Sequence, residues 1–229
     1  MAEKIWLITG GTSGIGAATA KLAVAQGDKV FITGRSADRL KSMLGEIAKP
    51  DAIDGMVADA ASWPDNQALI AKTLARFGRI DIAFANAGFT ATGDFKNGDP
   101  SVWKDMVLTN VYGAGLLAKA CIPELEKTHG QILLTGSVAG RKHIAGSMYS
   151  VTKWAVAGMA ENLRLQVSKQ GIRVTLISPG RAATPFWPQL PNAPMLTADN
   201  VAQAVIWATR QPAHVDVNEI LVRPLGQEV

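Results

Sequence analysis

The chain has 229 residues, 48% of them apolar and 18% charged, one cysteine, and a net charge of +4 with a pI near 9.3. This is enough apolar material for one α/β domain spanning 1–229. A lone Cys121 excludes an intramolecular disulfide and any cysteine-based zinc site, as a reducing cytoplasm permits. The basic residues are scattered among acidic ones without a run or aromatic interleaving, which argues against a nucleic-acid partner and leaves a surface mildly favourable to phosphates.

Ile5-Trp6-Leu7-Ile8 is too short for a signal peptide, and no stretch is expected to approach a membrane span, so the expectation is a soluble, cytoplasmic protein. The run reads instead as a first strand. A glycine-rich turn follows, then a helix through Ala25 and a second strand from Lys29 to Gly34. Strand, glycine turn and helix in that order make Gly10, Thr12, Ser13, Gly14, Ile15 and Gly16 a candidate dinucleotide-binding turn. Its glycines allow close backbone approach, and the helix N-terminus offers free N–H groups to a pyrophosphate. A turn without a ligand is the plainer alternative. Where NAD-preferring folds place an acid after the second strand, Gly34 is followed by Arg35, which favours a 2′-phosphate; a solvent-facing Arg35 is the alternative, and Arg39 is a possible helper.

Ser36 is expected to cap a helix to Ile47, and a third strand, Ile53 to Ala58, ends at Asp59, whose plain role is a turn carboxylate. A helix from Trp63 or Pro64 to Phe77 leads to the strand Ile80–Ala85 and then Asn86-Ala87-Gly88. Pro100 to about Lys127 reads as one long helix interrupted by Asn110, for which a structural polar contact is the default. The strand from Gln131 ends in Ser137, at the edge where parallel sheets bind ligands. After the loop Gly140–Gly146, Tyr149 and Lys153 stand four residues apart, hence on one face of a helix whose continuation is apolar on all sides. A buried ammonium there needs a partner. A strand from Arg173 leads to Pro179-Gly180 and Thr184; the proline-rich 185–195 segment is a covering loop or a surface connector; Thr197 caps a helix to Thr209, and Ile220–Val222 is a last strand.

In their order and on these elements, Thr9-Gly10-x-x-x-Gly14-x-Gly16, Asn86-Ala87-Gly88, Asn110, Ser137, Tyr149-x-x-x-Lys153 and Pro179-Gly180 resemble the short-chain dehydrogenases/reductases over nearly the whole chain. The resemblance implies a Rossmann-like, doubly wound open parallel sheet of about seven strands with helices on both faces. It implies catalysis by Asn110, Ser137, Tyr149 and Lys153: Tyr149 as proton donor, Ser137 holding the carbonyl oxygen, Lys153 gripping the nicotinamide ribose and favouring the phenolate, and Asn110 distorting its helix and binding a water that relays protons. Asp59 would meet the adenine amino group, Asn86, Ala87 and Gly88 the ribose, and Pro179, Gly180, Ala182 and Thr184 the nicotinamide. Departures are Ala85 for an Asn, Gly136 for a Ser, a small Ala182, and a Ser13 that is not basic.

The expected activity is that of an NADPH-dependent carbonyl reductase or alcohol dehydrogenase, with NADP(H) preferred over NAD(H) and no metal. Its small-molecule substrate would be a ketone or secondary alcohol. A short C-terminal part resembles that of relatives acting on short hydroxy acids, and Arg181 could attract a carboxylate but is more simply a surface residue; Phe89, Val138, His143, Met148, Phe186 and Trp187 favour an apolar or aromatic ketone. The alternative is a non-catalytic NADP(H) sensor or scaffold. The helices around Trp103–Glu126 and Tyr149–Val167 are expected to pair in a homodimer or homotetramer, or else to be covered by the chain's own loops.

Overall fold

A computed structural model of the chain describes residues 3–187 and 189–227. The apolar runs become a seven-stranded parallel sheet whose central strands are buried on both faces. Its strands are β1 (Ile5–Ile8), β2 (Lys29–Gly34), β3 (Ile53–Val57), β4 (Ile82–Ala85), β5 (Gln131–Thr135), β6 (Arg173–Pro179) and β9 (Glu219–Val222). A separate two-stranded parallel pair, β7 (Ala182–Ala183) and β8 (Leu196–Thr197), carries no strand signal of its own in the sequence; it ties the two ends of the proline-rich segment together. Pro188 within that segment lies outside the described residues.

The large sheet runs β3-β2-β1-β4-β5-β6-β9, so the chain winds outward from β1 in one direction and from β4 in the other. Ile8 pairs with Ile32 on one side and Phe84 on the other, which puts the switch point beyond the carboxyl ends of β1 and β4.

Helices α1 (Gly14–Ala25), α2 (Ala37–Ile47) and α7 (Ala198–Thr209) pack on one face, and α3 (Trp63–Phe77), α5 (Gly113–Thr128) and α6 (Met148–Val167) on the other. Successive strand residues feed opposite cores: Trp6 and Ile8 join the first, Leu7 the second. Hydroxyl residues cap the helix starts, Ser36 and Thr197 as the sequence indicates and Ser62 and Ser147 in addition. Ser36 accepts from the Arg39 N–H at 3.3 Å, Ser62 from Asp65 at 3.2 Å, Ser147 from Ser150 at 3.1 Å, and Thr197 forms a capping box with Asn200.

The long helix expected from Pro100 is continuous to Thr128 but not uniform. It runs as α4 (Pro100–Val107), a π-helical turn over Leu108–Tyr112, and α5. By length and apolar content alone this run could cross a membrane, contrary to the expectation that no stretch would. It is a core element: Leu117, Ala118, Cys121 and Leu125 are buried against the sheet. The π turn coincides with contacts distant in sequence. Asn110 accepts from the Phe89 N–H at 3.0 Å and donates to the Phe89 carbonyl at 2.9 Å and to the Thr152 hydroxyl at 3.1 Å, drawing that turn towards β4 and α6.

Candidate active site

A cleft of about 760 Å³ opens at the switch point. Every catalytic or cofactor-binding residue expected from the sequence lines it except Gly16 and Asn110, which stand just behind its wall.

At one end is the glycine turn. Gly10 and Gly14 have φ of +65° and +53°, values that L side chains rarely adopt. A Cβ at Gly16 would fall 2.4 Å from the Gly10 carbonyl oxygen, so this glycine allows the helix to seat on the turn and does not itself face the cleft. Helix α1 begins with no side-chain cap from Ser13 and no acid in its first turn, unlike α2, α3 and α7. Its first N–H groups are thus left for an acceptor from the cleft, which is what a dinucleotide pyrophosphate supplies.

Beyond the turn, a Cβ at Gly34 would lie 2.5 Å from Thr12 Oγ1, so the threonine occupies the space that a larger residue there would need. Arg35 is an exposed side chain on the lining, its guanidinium carbon 5.9 Å from the centroid of the Phe89 ring, and Arg39, also exposed, lines the same end, so both face solvent as well as the cleft. Asp59 lines the same end while its Oδ1 accepts from the Ala61 N–H at 2.9 Å, the turn role that the sequence allows.

Asn86 is more structural than a cofactor contact alone would require. Its amide donates to the carbonyls of Thr9 and Gly10, both at 3.1 Å, and accepts from Thr135 Oγ1 at 3.2 Å. Thr9 Oγ1 accepts from the N–H groups of Asn86 and Ala87, both at 3.2 Å. These bonds brace β1, β4 and β5 where Ala85 replaces a possible Asn; no local pattern marks Thr9 for this role, since its partner lies 77 residues away. The Gly136 departure has a similar explanation, since a Cβ there would fall 2.9 Å from Ser178 Oγ.

The other end holds Ser137, Tyr149 and Lys153. Ser137 Oγ accepts from the Ala139 N–H at 3.1 Å, which orients it at the start of a short 3-10 turn, Val138–Gly140. The surrounding atoms push the Tyr149 phenol up to about 12, a rise that its hydrogen bond with Ser137 partly offsets. Lys153 is 5% exposed and burial pulls its ammonium down to about 8. It donates to the Thr135 carbonyl at 2.7 Å and lies 5.6 Å from the Tyr149 ring centroid. A Cβ on Gly88 would meet both Asn110 Oδ1 at 3.0 Å and Lys153 Nζ at 3.8 Å, so these two side chains converge behind that glycine.

Phe186 packs on Tyr149 at 5.4 Å between centroids, and Trp187 meets Phe186 at 5.6 Å. The proline-rich segment therefore supplies a wall of the cleft. Phe89 and Val138 line it as expected; His143 and Met148 do not, and His143 stacks on Trp154 at 5.3 Å instead. Lys142, Ile144, Thr109 and Gln227 are lining residues that no local pattern announces. Among the described residues no three of His, Cys, Asp and Glu cluster as metal ligands would.

This arrangement has counterparts in known proteins. The family described as short chain dehydrogenase matches residues 4–194.

The chain belongs to the short-chain dehydrogenase family.

An uncharacterized oxidoreductase of Staphylococcus saprophyticus is 34% identical, covering 97% of this chain and 98% of its own length. A second, from Staphylococcus haemolyticus, is 35% identical with 97% of each covered. Among solved structures, an alcohol dehydrogenase of Thermococcus sibiricus complexed with 5-hydroxy-NADP superimposes with a TM-score of 0.92 at 26% identity, covering 100% of this chain and 99% of that one. Levodione reductase gives 0.87 at 26% identity over 96% and 95%. The chain is an oxidoreductase of this family, with the Rossmann-type sheet that the family carries.

Proposed function

We propose that the protein is an NADPH-dependent carbonyl reductase, able to run in reverse as a secondary-alcohol dehydrogenase. The observation that carries this reading is the convergence of Ser137, Tyr149 and a buried Lys153 at one end of a cleft whose other end is a helix N-terminus without a cap.

The turn 10–16 and the first N–H groups of α1 would hold the pyrophosphate, with Asp59 and Ala87 beside the adenosine portion. Arg35 and Arg39 would take a 2′-phosphate, and Thr12 packed against Gly34 supports that choice by leaving no room for an acid there. Pro179, Gly180, Ala182 and Thr184 would flank the nicotinamide, and Lys153 its ribose hydroxyls. When bound, the reduced nicotinamide supplies the hydride.

Ser137 then holds the carbonyl oxygen, and Tyr149, with its phenol fully protonated at neutral pH, delivers a proton to that oxygen. A phenol so reluctant to ionise makes a ready acid only when its anion is stabilised as it forms. The ammonium of Lys153 on the same helix face, together with Ser137, is placed to do this. Asn110 would support proton return through a water; both hydrogens of its amide already bond to Phe89 and Thr152, so its firmest role is to brace the Lys153 environment.

Exposed apolar side chains on the π turn and α6, at Tyr112, Val151, Trp154 and Leu165, support association into a homodimer or homotetramer through these helices, and the proposed location is the cytoplasm. Oxidation of NADPH and NADH, followed across a panel of ketones and aldehydes, tests the enzyme reading. Nucleotide binding without turnover of any carbonyl would instead identify a sensor or scaffold, a reading disfavoured by the retained Ser137, Tyr149 and Lys153.

A further inference from the structure

Arg181 sits between β6 and β7 with its backbone held on several sides. Its N–H donates to Gln227 Oε1 at 2.9 Å, and its carbonyl accepts from the Leu196 N–H at 2.8 Å. Gly180 on one side is bonded to the Val222 carbonyl at 2.7 Å, and the Ala182 carbonyl on the other takes the Trp187 indole N–H at 3.0 Å. The side chain contrasts with this. It lines the cleft, its Nε is buried without any hydrogen-bond partner, and it forms no ion pair among the described residues. A buried guanidinium donor left unmatched is costly, and its fork geometry suits a carboxylate.

The cleft offers it no counter-charge of its own. Asp59, at the adenosine end, is the one acid on the described lining, while Lys142 adds a further cation from the loop before Tyr149. Glu219 on β9 is taken up by Arg141, at 2.7 Å, and by the Ser178 hydroxyl, at 2.8 Å. The rigid backbone, the unmatched donor and the absence of a neighbouring acid point the same way.

We infer that the substrate is a carbonyl compound bearing a carboxylate, an oxo acid in the reducing direction and a hydroxy acid in the oxidising one, and that Arg181 receives its carboxylate. This rests on the carbonyl-reductase reading above and names the substrate class of that same site. Phe186 and Trp187 face the apolar part of the molecule, Arg181 its charged end, and Ser137 with Tyr149 the oxygen to be protonated.

The test is a comparison of kcat/KM for 2-oxobutanoate, 3-oxobutanoate and 4-oxopentanoate, each against its neutral methyl ester, in the wild type, Arg181→Gln and Arg181→Lys. At least one acid is expected to exceed its ester about tenfold in the wild type. Arg181→Gln should lower that acid's value roughly tenfold to a hundredfold, chiefly through KM, while the ester's value stays put and certifies the fold; Arg181→Lys should recover part of the loss. Esters as good as acids throughout would overturn the assignment, as would an Arg181→Gln that slows both alike or raises the KM for NADPH by the same factor. Reduction of neutral ketones without any preference for acids would remove the Arg181 assignment and leave the reductase standing. No turnover of acid, ester or ketone with either nucleotide would remove both.

Discussion

The two edges of the sheet treat buried charge in opposite ways. At the amino ends of the strands, Asp28 is 2% exposed and fully engaged: it takes the Trp6 indole N–H at 2.8 Å, the Lys4 N–H at 3.0 Å, and the Arg210 guanidinium. Asp81 takes the Ile5 N–H at 2.7 Å and pairs with Arg79, and Lys4 donates to the carbonyl of Thr209 at the end of α7, where the helix dipole favours a cation. At the carboxyl ends, Lys153 has a single carbonyl partner and no carboxylate, and Arg181 has a buried donor with no partner. The first edge is a scaffold in which each carboxylate faces a cation, although Arg210 Nε has no hydrogen-bond partner there and the Lys4 ammonium has only a carbonyl. The second holds cations without a carboxylate partner among the described residues, Lys153 buried and Arg181 half-buried, as sites that bind and react commonly do.

The strongest way to break this division is at Tyr149. Tyr149→Phe should lower kcat about 10³-fold while nucleotide affinity, measured by fluorescence titration, and thermal stability stay within error. Retained turnover would show that the phenol is not the proton donor.

Next in size is the scaffold edge. Asp28→Ala strands the Arg210 guanidinium and the Trp6 indole, and should cost about 3–5 kcal/mol in urea unfolding. The rate per folded molecule should be unchanged; a matching fall in kcat would show that the two edges are coupled.

Lys153→Met should act in the opposite sense on stability. The wild-type ammonium is held down to about 8 from an ordinary 10.5, so the unfolded chain binds the extra proton between those values and wild-type stability rises with pH across that window. Below pH 8 the full penalty applies, on the order of 3 kcal/mol, less whatever the Thr135 hydrogen bond returns. The variant should therefore be inactive yet more stable by about 1–3 kcal/mol at pH 7, with an advantage that fades towards pH 10.5 in denaturation curves. A destabilised variant at pH 7 would mean that Lys153 is a structural group.

The smallest effect is expected at Arg35. Arg35→Ala should cut the preference for NADPH over NADH about tenfold, roughly 1.4 kcal/mol, read as a ratio of kcat/KM values. An unchanged ratio would assign the selection to Arg39 or to the Thr12–Gly34 contact.

Much of this site is legible in the amino-acid sequence because its signals are local. Gly10 to Gly16 announce a turn and a helix start, Ser36 and Thr197 announce caps, and the spacing of Tyr149 and Lys153 puts them on one face; each depends on residues within one or two helical turns. The limits of the local reading appear at Asn110. Its position in a helical run implies an interruption, but the form of that interruption, a π turn, comes from Phe89 and Thr152, 21 and 42 residues away.

The sequence by itself determined the order of the seven main strands and of the helices between them, and the residue types at the cleft, since periodicity and turn chemistry act over a few neighbouring positions. Tertiary structure alone decided how those residues are used. Thr9 and Asn86 brace three strands, Thr12 fills the space at Gly34, the proline-rich segment becomes a wall over Tyr149, and Gln227 reaches across 46 positions to hold the backbone of Arg181. These are contacts between segments that only the winding of the sheet brings together. The same winding leaves Lys153 and Arg181 without an anionic partner at the one edge where a ligand can provide it.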